Sequence, residues 1–217
     1  FNTVYSNQYE PARKSQDAYE VGLYRFPDMT HDNRDVQTIP DEDFEALKEQ
    51  GIDMITGGFP CQDYSVARSS KNELGIKGKK GVLFWEIIRA TKIINPKYLV
   101  LENVDRLLKA PSNQRGRDFA VMLAAFNELN YSVEWRVINA AEYGRAQRRR
   151  RVFFFIYRND LPYAEKIDKQ FEDKKIAKDI FGEEIGHRYK DYIFNSGLFA
   201  KQFPVKELIY KDRHTYG

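Results

Sequence analysis

Apolar positions along this chain follow two alternating rhythms: short continuous runs, and longer stretches in which they recur with helical spacing. Phe1 to Ser6 reads as a short strand, and Glu10 to Glu20 as a helix with Pro11 in its first turn. Asp41 to Gln50 reads as a second helix, acidic at its start and followed by Gly51. Ile52 to Thr56 is a short apolar strand running into Gly57-Gly58, and Val82 to Ile94 a striped helix stopped by Asn95-Pro96. Tyr98 to Leu101 predicts a buried strand ending at Glu102-Asn103. An amphipathic helix over Asp118 to Leu129 follows, then strands at Tyr131 to Ile138 and Val152 to Tyr157. Strands alternating with helices of this length predict an α/β fold with a doubly wound, mostly parallel sheet. In such sheets function collects beyond the carboxyl ends of the strands. From about Arg158 the pattern fades. Residues 159–191 are dense in Lys, Asp and Glu with weak periodicity, and Asn195 to Pro204 reads as loop or short strand. The expected division is therefore a domain over 1–158 and a charged connection over 159–217.

Composition alters this picture mainly by exclusion. With 42% hydrophobic and 31% charged residues among 217, the chain falls in the soluble globular class. Its longest apolar stretch, Val152 to Tyr157, is far short of the roughly 20 residues that a spanning helix needs. A net charge of +3 is too mild to imply a polyanionic partner by itself. Cys61 is the one cysteine, which forbids an intramolecular disulfide. With no signal-like segment, it points to a reducing, cytosolic compartment. The chain opens on Phe1 rather than Met, so the expectation is a processed or trimmed chain or a fragment.

Three segments carry chemistry. In Gly57-Gly58-Phe59-Pro60-Cys61-Gln62-Asp63-Tyr64-Ser65, a cysteine follows a strand and precedes the polar, basic, glycine-rich stretch Arg68 to Gly81. A thiolate nucleophile needs such exposure and an electropositive setting; the competing reading is a buried cysteine packing as a small hydrophobe. In Leu99-Val100-Leu101-Glu102-Asn103-Val104, an acidic residue follows an apolar strand directly. A partly buried carboxyl there has a raised pKa and can donate a proton, against the alternative of a capping or solvated carboxylate. In Gln147-Arg148-Arg149-Arg150-Arg151-Val152, an extended chain puts Gln147, Arg149 and Arg151 on one face, with Arg148 and Arg150 on the other. One face would serve a site and the other meet phosphates, unless the run is merely solvated or a localisation signal.

Together and in this order, Pro60-Cys61-Gln62, Glu102-Asn103-Val104 and Gln147-x-Arg149-x-Arg151 resemble the motifs of the carbon-5 cytosine-specific DNA methyltransferase family. Gly81 to Glu86 and Asn139 to Gly144 resemble its supporting stretches, and the resemblance covers roughly residues 2–158. It implies the Rossmann-like fold of S-adenosylmethionine-dependent methyltransferases, with 1–158 as a catalytic domain incomplete at its N-terminus. It also implies that Cys61 attacks carbon 6 of a cytosine flipped out of double-stranded DNA, so that carbon 5 takes a methyl group from S-adenosylmethionine. Glu102 would hold and protonate ring nitrogen 3, with Arg149 and Arg151 beside the base. Gln62 and Ser65, in a lid from Gln62 to Lys80, would meet a phosphate, and Asn103 would orient the Pro60-Cys61 turn. The cofactor would lie against Gln8, Tyr9, Asp35, Val36 and Leu83. Two positions depart from the family pattern: Gln8 stands where a ribose-binding glutamate is usual, and Ala146 where a proline commonly precedes the glutamine.

The implied protein is a bacterial restriction-modification enzyme of the cytoplasm, using no metal and no membrane. The alternatives are a cytosine-5 methyltransferase of tRNA, a catalytically silent nucleic-acid-binding relative, and a cysteine hydrolase. The hydrolase would need a base from His31, His187 or His214, none of which sits in a recognisable partner motif. By the same resemblance, residues 1–217 lack the first glycine-turn cofactor motif and the closing C-terminal motifs. The expectation is that this stretch alone binds cofactor weakly, is not a competent methyltransferase, and associates with itself through an uncovered sheet edge.

Overall fold

The structure, a computed structural model, describes residues 1–59, 83–109 and 116–172. Cys61, Gln62 and Ser65, with the rest of the expected lid, lie outside the described residues. Among the described residues six strands and five α-helices follow one another, with β5 and β6 consecutive: β1 (Tyr5–Asn7), α1 (Asp17–Arg25), β2 (Thr30–Asp32), α2 (Asp41–Glu49), β3 (Met54–Gly58), α3 (Leu83–Ile94), β4 (Tyr98–Val104), α4 (Arg117–Glu128), β5 (Tyr131–Asn139), β6 (Arg150–Arg158) and α5 (Pro162–Glu172). The α/β alternation stands as the sequence predicts.

Local chemistry explains most boundaries. In α2, Asp41, Glu42 and Asp43 oppose the positive end of the helix dipole, and Gly51 ends the helix at φ 74°. Helix α3 stops at Asn95, also left-handed at φ 54°, with Pro96 next. Buried Tyr131 then fastens the start of β5 by donating its hydroxyl to the Pro96 carbonyl at 2.5 Å.

Sheet order places the site. β1 and β2 pair in parallel as a two-stranded sheet; the other four strands run in the order β3-β4-β6-β5. β3 pairs with β4 in parallel, whereas β6 is antiparallel to both its neighbours. One face of the four-stranded sheet, from Leu99, Leu101, Val152, Phe154 and Ile156, meets α3 and α4 through Phe84, Phe119, Leu123 and Phe126. On the opposite face Tyr157, Leu161 and Ala164 of the β6–α5 hairpin pack with Tyr98, Phe155 and Tyr163. That cover sits over the Tyr98 end of β4. Further along this face, Phe153 stays 38% exposed, so it is open toward Glu102. A third cluster of Ile39, Phe44, Leu47 and Ile94 wedges α2 against α3, with Tyr5 and Val36 at its edge.

Several expectations are corrected. The first helix does not include Glu10 or Pro11, because the Gln16 amide binds both backbone groups of Glu10 and closes residues 10–16 as a loop. β2 has no predicted counterpart. The strand expected to stop at Leu101 continues to Val104, since Gly58 on one side and Phe153 and Val152 on the other extend its ladder. Weak periodicity beyond Arg158 hid α5, whose Ala164 and Ile167 continue, at three-residue spacing, the burial of Leu161 just before the helix.

Candidate active site

Glu102 lies near the carboxyl end of β4, directly beside Gly58 of β3 and Phe153 of β6. Arg151 sits opposite Val104, so strand alternation puts Glu102 and Arg151 on the same face, one diagonal step apart. The contact follows: Arg151 Nε reaches Glu102 Oε1 at 2.6 Å, with the two side chains 23% and 38% exposed. Arg151 also donates from Nη1 to the Arg150 carbonyl, which fixes its guanidinium plane. The other oxygen, Glu102 Oε2, occupies the space a side chain at residue 58 would fill; a Cβ there would lie 3.3 Å from it. Gly58 therefore makes room for the carboxylate.

Asn103 points to the opposite face and is 2% exposed. Its Nδ2 donates to the Phe59 carbonyl at 2.9 Å, while its Oδ1 accepts from the Val104 amide at 2.8 Å. The chain leaving β3 toward Pro60 is thus tied to the strand that carries Glu102. The Pro60-Cys61 turn that Asn103 is expected to orient lies outside the described residues.

Alternation holds only partly in the arginine run. The ladder begins at Arg150, so Arg149 belongs to the turn before it. Its amide donates to the Gln147 carbonyl and its carbonyl accepts from Ala140. The expected extended face Gln147–Arg149–Arg151 is corrected accordingly: only Arg151 is set against Glu102 by the pleat. Arg150, on the other face, pairs with Asp105 at 3.1 Å rather than standing free. Arg145, Arg148 and Arg149 are exposed, and no ion pair engages them among the described residues.

The expected cofactor residues gather at the carboxyl ends of β1 and β2 and at the start of α3. Gln8 and Tyr9 follow β1 directly; Gln8 is half-buried, its backbone N–H donating to the Asp32 carbonyl, and Tyr9 is exposed. Asp35 and Val36 lie in the loop after β2, where Asp35 caps a short 3-10 turn by accepting from the Gln37 amide at 3.0 Å. Leu83 packs against the main core and Val36 against the α2–α3 cluster. Sequence reasoning passed over the strand end itself. Asp32, 8% exposed, is grasped by Arg34 (Nη2–Oδ2 2.6 Å) and by the Tyr5 hydroxyl at 2.8 Å. The hydrogen-bonded Arg34 holds this carboxyl below its usual range, while burial, then the bond to Asp32, raises the Tyr5 phenol. Next to it, Asn33 Oδ1 is buried with no hydrogen-bond partner among the described residues. The only signal for these residues was their place between two predicted elements.

This donor set suits a nucleoside-bearing ligand: an unpaired buried acceptor, an amide and an exposed aromatic ring lie beyond adjacent parallel strands. Among the described residues no group of three or more His, Cys, Asp or Glu side chains is placed to hold a metal ion. Nor is any helix there long and apolar enough to cross a membrane.

Comparison with known proteins adds independent findings. The sequence profile of the C-5 cytosine-specific DNA methylase family matches residues 1–216. Type II methyltransferase M.Sau3AI of Staphylococcus aureus is 52% identical over 213 residues, covering 98% of this chain and 47% of that protein. Type II methyltransferase M.HhaI of Haemophilus parahaemolyticus is 33% identical over 180 residues, 82% of this chain and 49% of that protein. The chain thus spans about half the length of these relatives. Among solved structures, a putative DNA modification methyltransferase of an Escherichia coli prophage superposes with a TM-score of 0.53 at 20% identity, covering 83% of this chain and 45% of that one. Schizosaccharomyces pombe Dnmt2 gives 0.52 at 16%, over 100% and 59% of the two chains. At such identities these two structures speak for the fold alone.

Proposed function

The chain belongs to the C-5 cytosine-specific DNA methylase family, and from that premise we propose that its protein methylates carbon 5 of cytosine in duplex DNA. It does so as the modification partner of a type II restriction system in the bacterial cytoplasm. S-adenosylmethionine, held against Gln8, Tyr9, Asn33, Asp35, Val36 and Leu83, supplies the methyl group.

The residues of this chain do the rest. The target cytosine is flipped out of the stack, because its reacting atoms cannot be reached inside a duplex. The Cys61 thiolate adds to carbon 6, forming a carbon–sulfur bond and moving an electron pair toward carbon 5. Glu102 binds and protonates ring nitrogen 3, which draws off charge as the thiolate adds. Arg151 keeps the carboxyl aimed at the base while Gly58 leaves it room. Methyl transfer at carbon 5 is followed by loss of the carbon-5 proton to solvent, departure of the thiolate and return of the nitrogen-3 proton to Glu102, which together restore the ring and the acid. Arg148 and Arg149, with Gln62 and Ser65, meet the DNA backbone.

The observation that carries this reading is the Arg151–Glu102 contact at the carboxyl end of β4, with Asn103 tying the same strand to Phe59. Pro60-Cys61 follow Phe59 at once in sequence. Gly58, the ladder partner of Glu102, stands three positions before Cys61 in sequence. A binding module has no need of a carboxylate held in this way. Labelled S-adenosylmethionine, offered to the complete protein with duplex DNA and with tRNA, tests the proposal. Label appearing as 5-methylcytosine in duplex DNA alone is expected. Label in tRNA alone, or in neither, contradicts it.

A further inference from the structure

Arg89 of α3 makes more directed contacts than any surface role requires. Its Nη2 donates to the Val36 carbonyl at 2.9 Å and its Nη1 to the Ile39 carbonyl at 2.9 Å. Nη1 also reaches Asp41 Oδ1 at 2.6 Å, and Nε reaches Glu86 Oε2 at 2.8 Å. The guanidinium lies over the Phe44 ring, 4.8 Å from its centre. One side chain therefore gathers two backbone carbonyls of the loop after β2, the first residue of α2 and a residue one turn away on its own helix. It is only 27% exposed.

The same loop is held at its other end. Arg34 bridges Asp32, at the end of β2, and Asp43, in the first turn of α2, both at 2.6 Å. Between the two clamps lie Asn33, whose buried Oδ1 has no hydrogen-bond partner among the described residues, and the Asp35–Val36 pair. A loop strapped at both ends has lost its conformational freedom before any ligand arrives, so binding does not have to supply that ordering cost.

We propose that Arg89 is a positioning residue for the cofactor: by fixing the Val36 and Ile39 carbonyls from α3, it preorganises the Asn33–Ile39 loop against which S-adenosylmethionine binds. This rests on the cofactor placement given under Proposed function. Lysine keeps the charge but cannot bind two carbonyls and a carboxylate at fixed angles. Arg89→Lys is therefore expected to fail where simple charge compensation would succeed.

The test measures S-adenosylmethionine affinity by calorimetry, with kcat and KM, in the complete protein. Arg89→Lys and Arg89→Met should weaken cofactor binding about tenfold or more, the scale of one lost hydrogen bond to a charged donor. The kcat at saturating cofactor should stay within about threefold. Leu47→Ala, in the same apolar cluster but off the loop, reports general destabilisation; it should lower the melting temperature and leave cofactor affinity within about twofold. Asn33→Ala and Asp35→Ala report on the placement itself. If these weaken binding and both Arg89 variants do not, the inference is overturned and the placement stands. Equal losses of affinity in Leu47→Ala and the Arg89 variants, at equal loss of melting temperature, overturn it as well. If Asn33→Ala and Asp35→Ala are both silent, the placement fails and the inference falls with it.

Discussion

Gly58 shows how much of the site is decided by single atoms. A methyl group there would stand 3.3 Å from Glu102 Oε2, closer than nearly all such contacts, so the carboxylate must turn away or strain its hold on Arg151. Gly58→Ala is expected to lower turnover at least tenfold with little loss of melting temperature, because Gly58 is exposed and its backbone is not left-handed. Measuring both on the same preparation checks this. Glu102→Gln keeps the shape and a hydrogen bond but cannot supply a proton, a loss typically worth about 10²–10⁴-fold. A single-turnover rate unchanged in Glu102→Gln removes the acid role. For Asn103, 2% exposed and bound to the Phe59 carbonyl, the expected failure is different in kind. Asn103→Ala leaves a buried carbonyl unmatched, at a cost of about 1–3 kcal/mol, readable in urea unfolding. Much of this scale was legible in the sequence, because Glu102, Asn103 and Arg151 carry their chemistry in their residue types. Gly58 was visible only as half of a turn-forming pair. Its service to Glu102 depends on the register of β3 against β4, which no local pattern encodes.

Elements divide into those whose periodicity announced them and those held by distant partners. Helices α2, α3 and α4 show their apolar stripes plainly. Strand β2 does not: Thr30, His31 and Asp32 alternate nothing over three residues. It exists because β1 pairs with it in parallel and because Arg34 and Tyr5 converge on Asp32. Nor does the apolar run of β6 state its direction; it is antiparallel because its ladder partners, β4 on one side and β5 on the other, both run the opposite way. Three predictions belong here. The Arg34 bond depresses the Asp32 carboxyl, so its contribution to stability is present above the ordinary carboxylate pKa of about 4 and is lost as pH falls through the lower folded value. Acid unfolding should therefore be less steep over that range in Asp32→Asn than in the unaltered protein. A matching acid limb in the two proteins would contradict this. In the arginine run, Arg151→Ala should cost far more turnover than Arg150→Ala, since Arg150 is engaged by an exposed carboxylate in a pair worth about 0–1 kcal/mol. Substituting Arg148 or Arg149 should flatten the salt dependence of DNA affinity. Equal turnover losses at Arg150 and Arg151 would defeat the distinction drawn from the register.

At the scale of the molecule, the open part of the sheet face is where the account converges. α5 and the Tyr98–Phe155–Tyr163 aromatics cover one end of that face, and Glu102, Arg151 and Phe153 are left at the other. The alternation of strands and helices made the α/β architecture readable from the sequence. The position of the opening was not, because it depends on α5, whose spacing is obscured by charge. The central claim is that Cys61 attacks a cytosine while Glu102 holds it, and covalent trapping tests this most directly. The complete protein is mixed with duplex DNA carrying 5-fluorocytosine at its target cytosine, with and without S-adenosylmethionine, and run under denaturing conditions. Fluorine at carbon 5 cannot leave as a cation, so the thiolate, once added, cannot depart after methyl transfer. The account predicts a denaturant-stable protein–DNA adduct that requires the cofactor, forms far more slowly in Glu102→Gln and is absent in Cys61→Ser. An adduct that persists in Cys61→Ser, or no cofactor-dependent adduct in the unaltered protein, would contradict it.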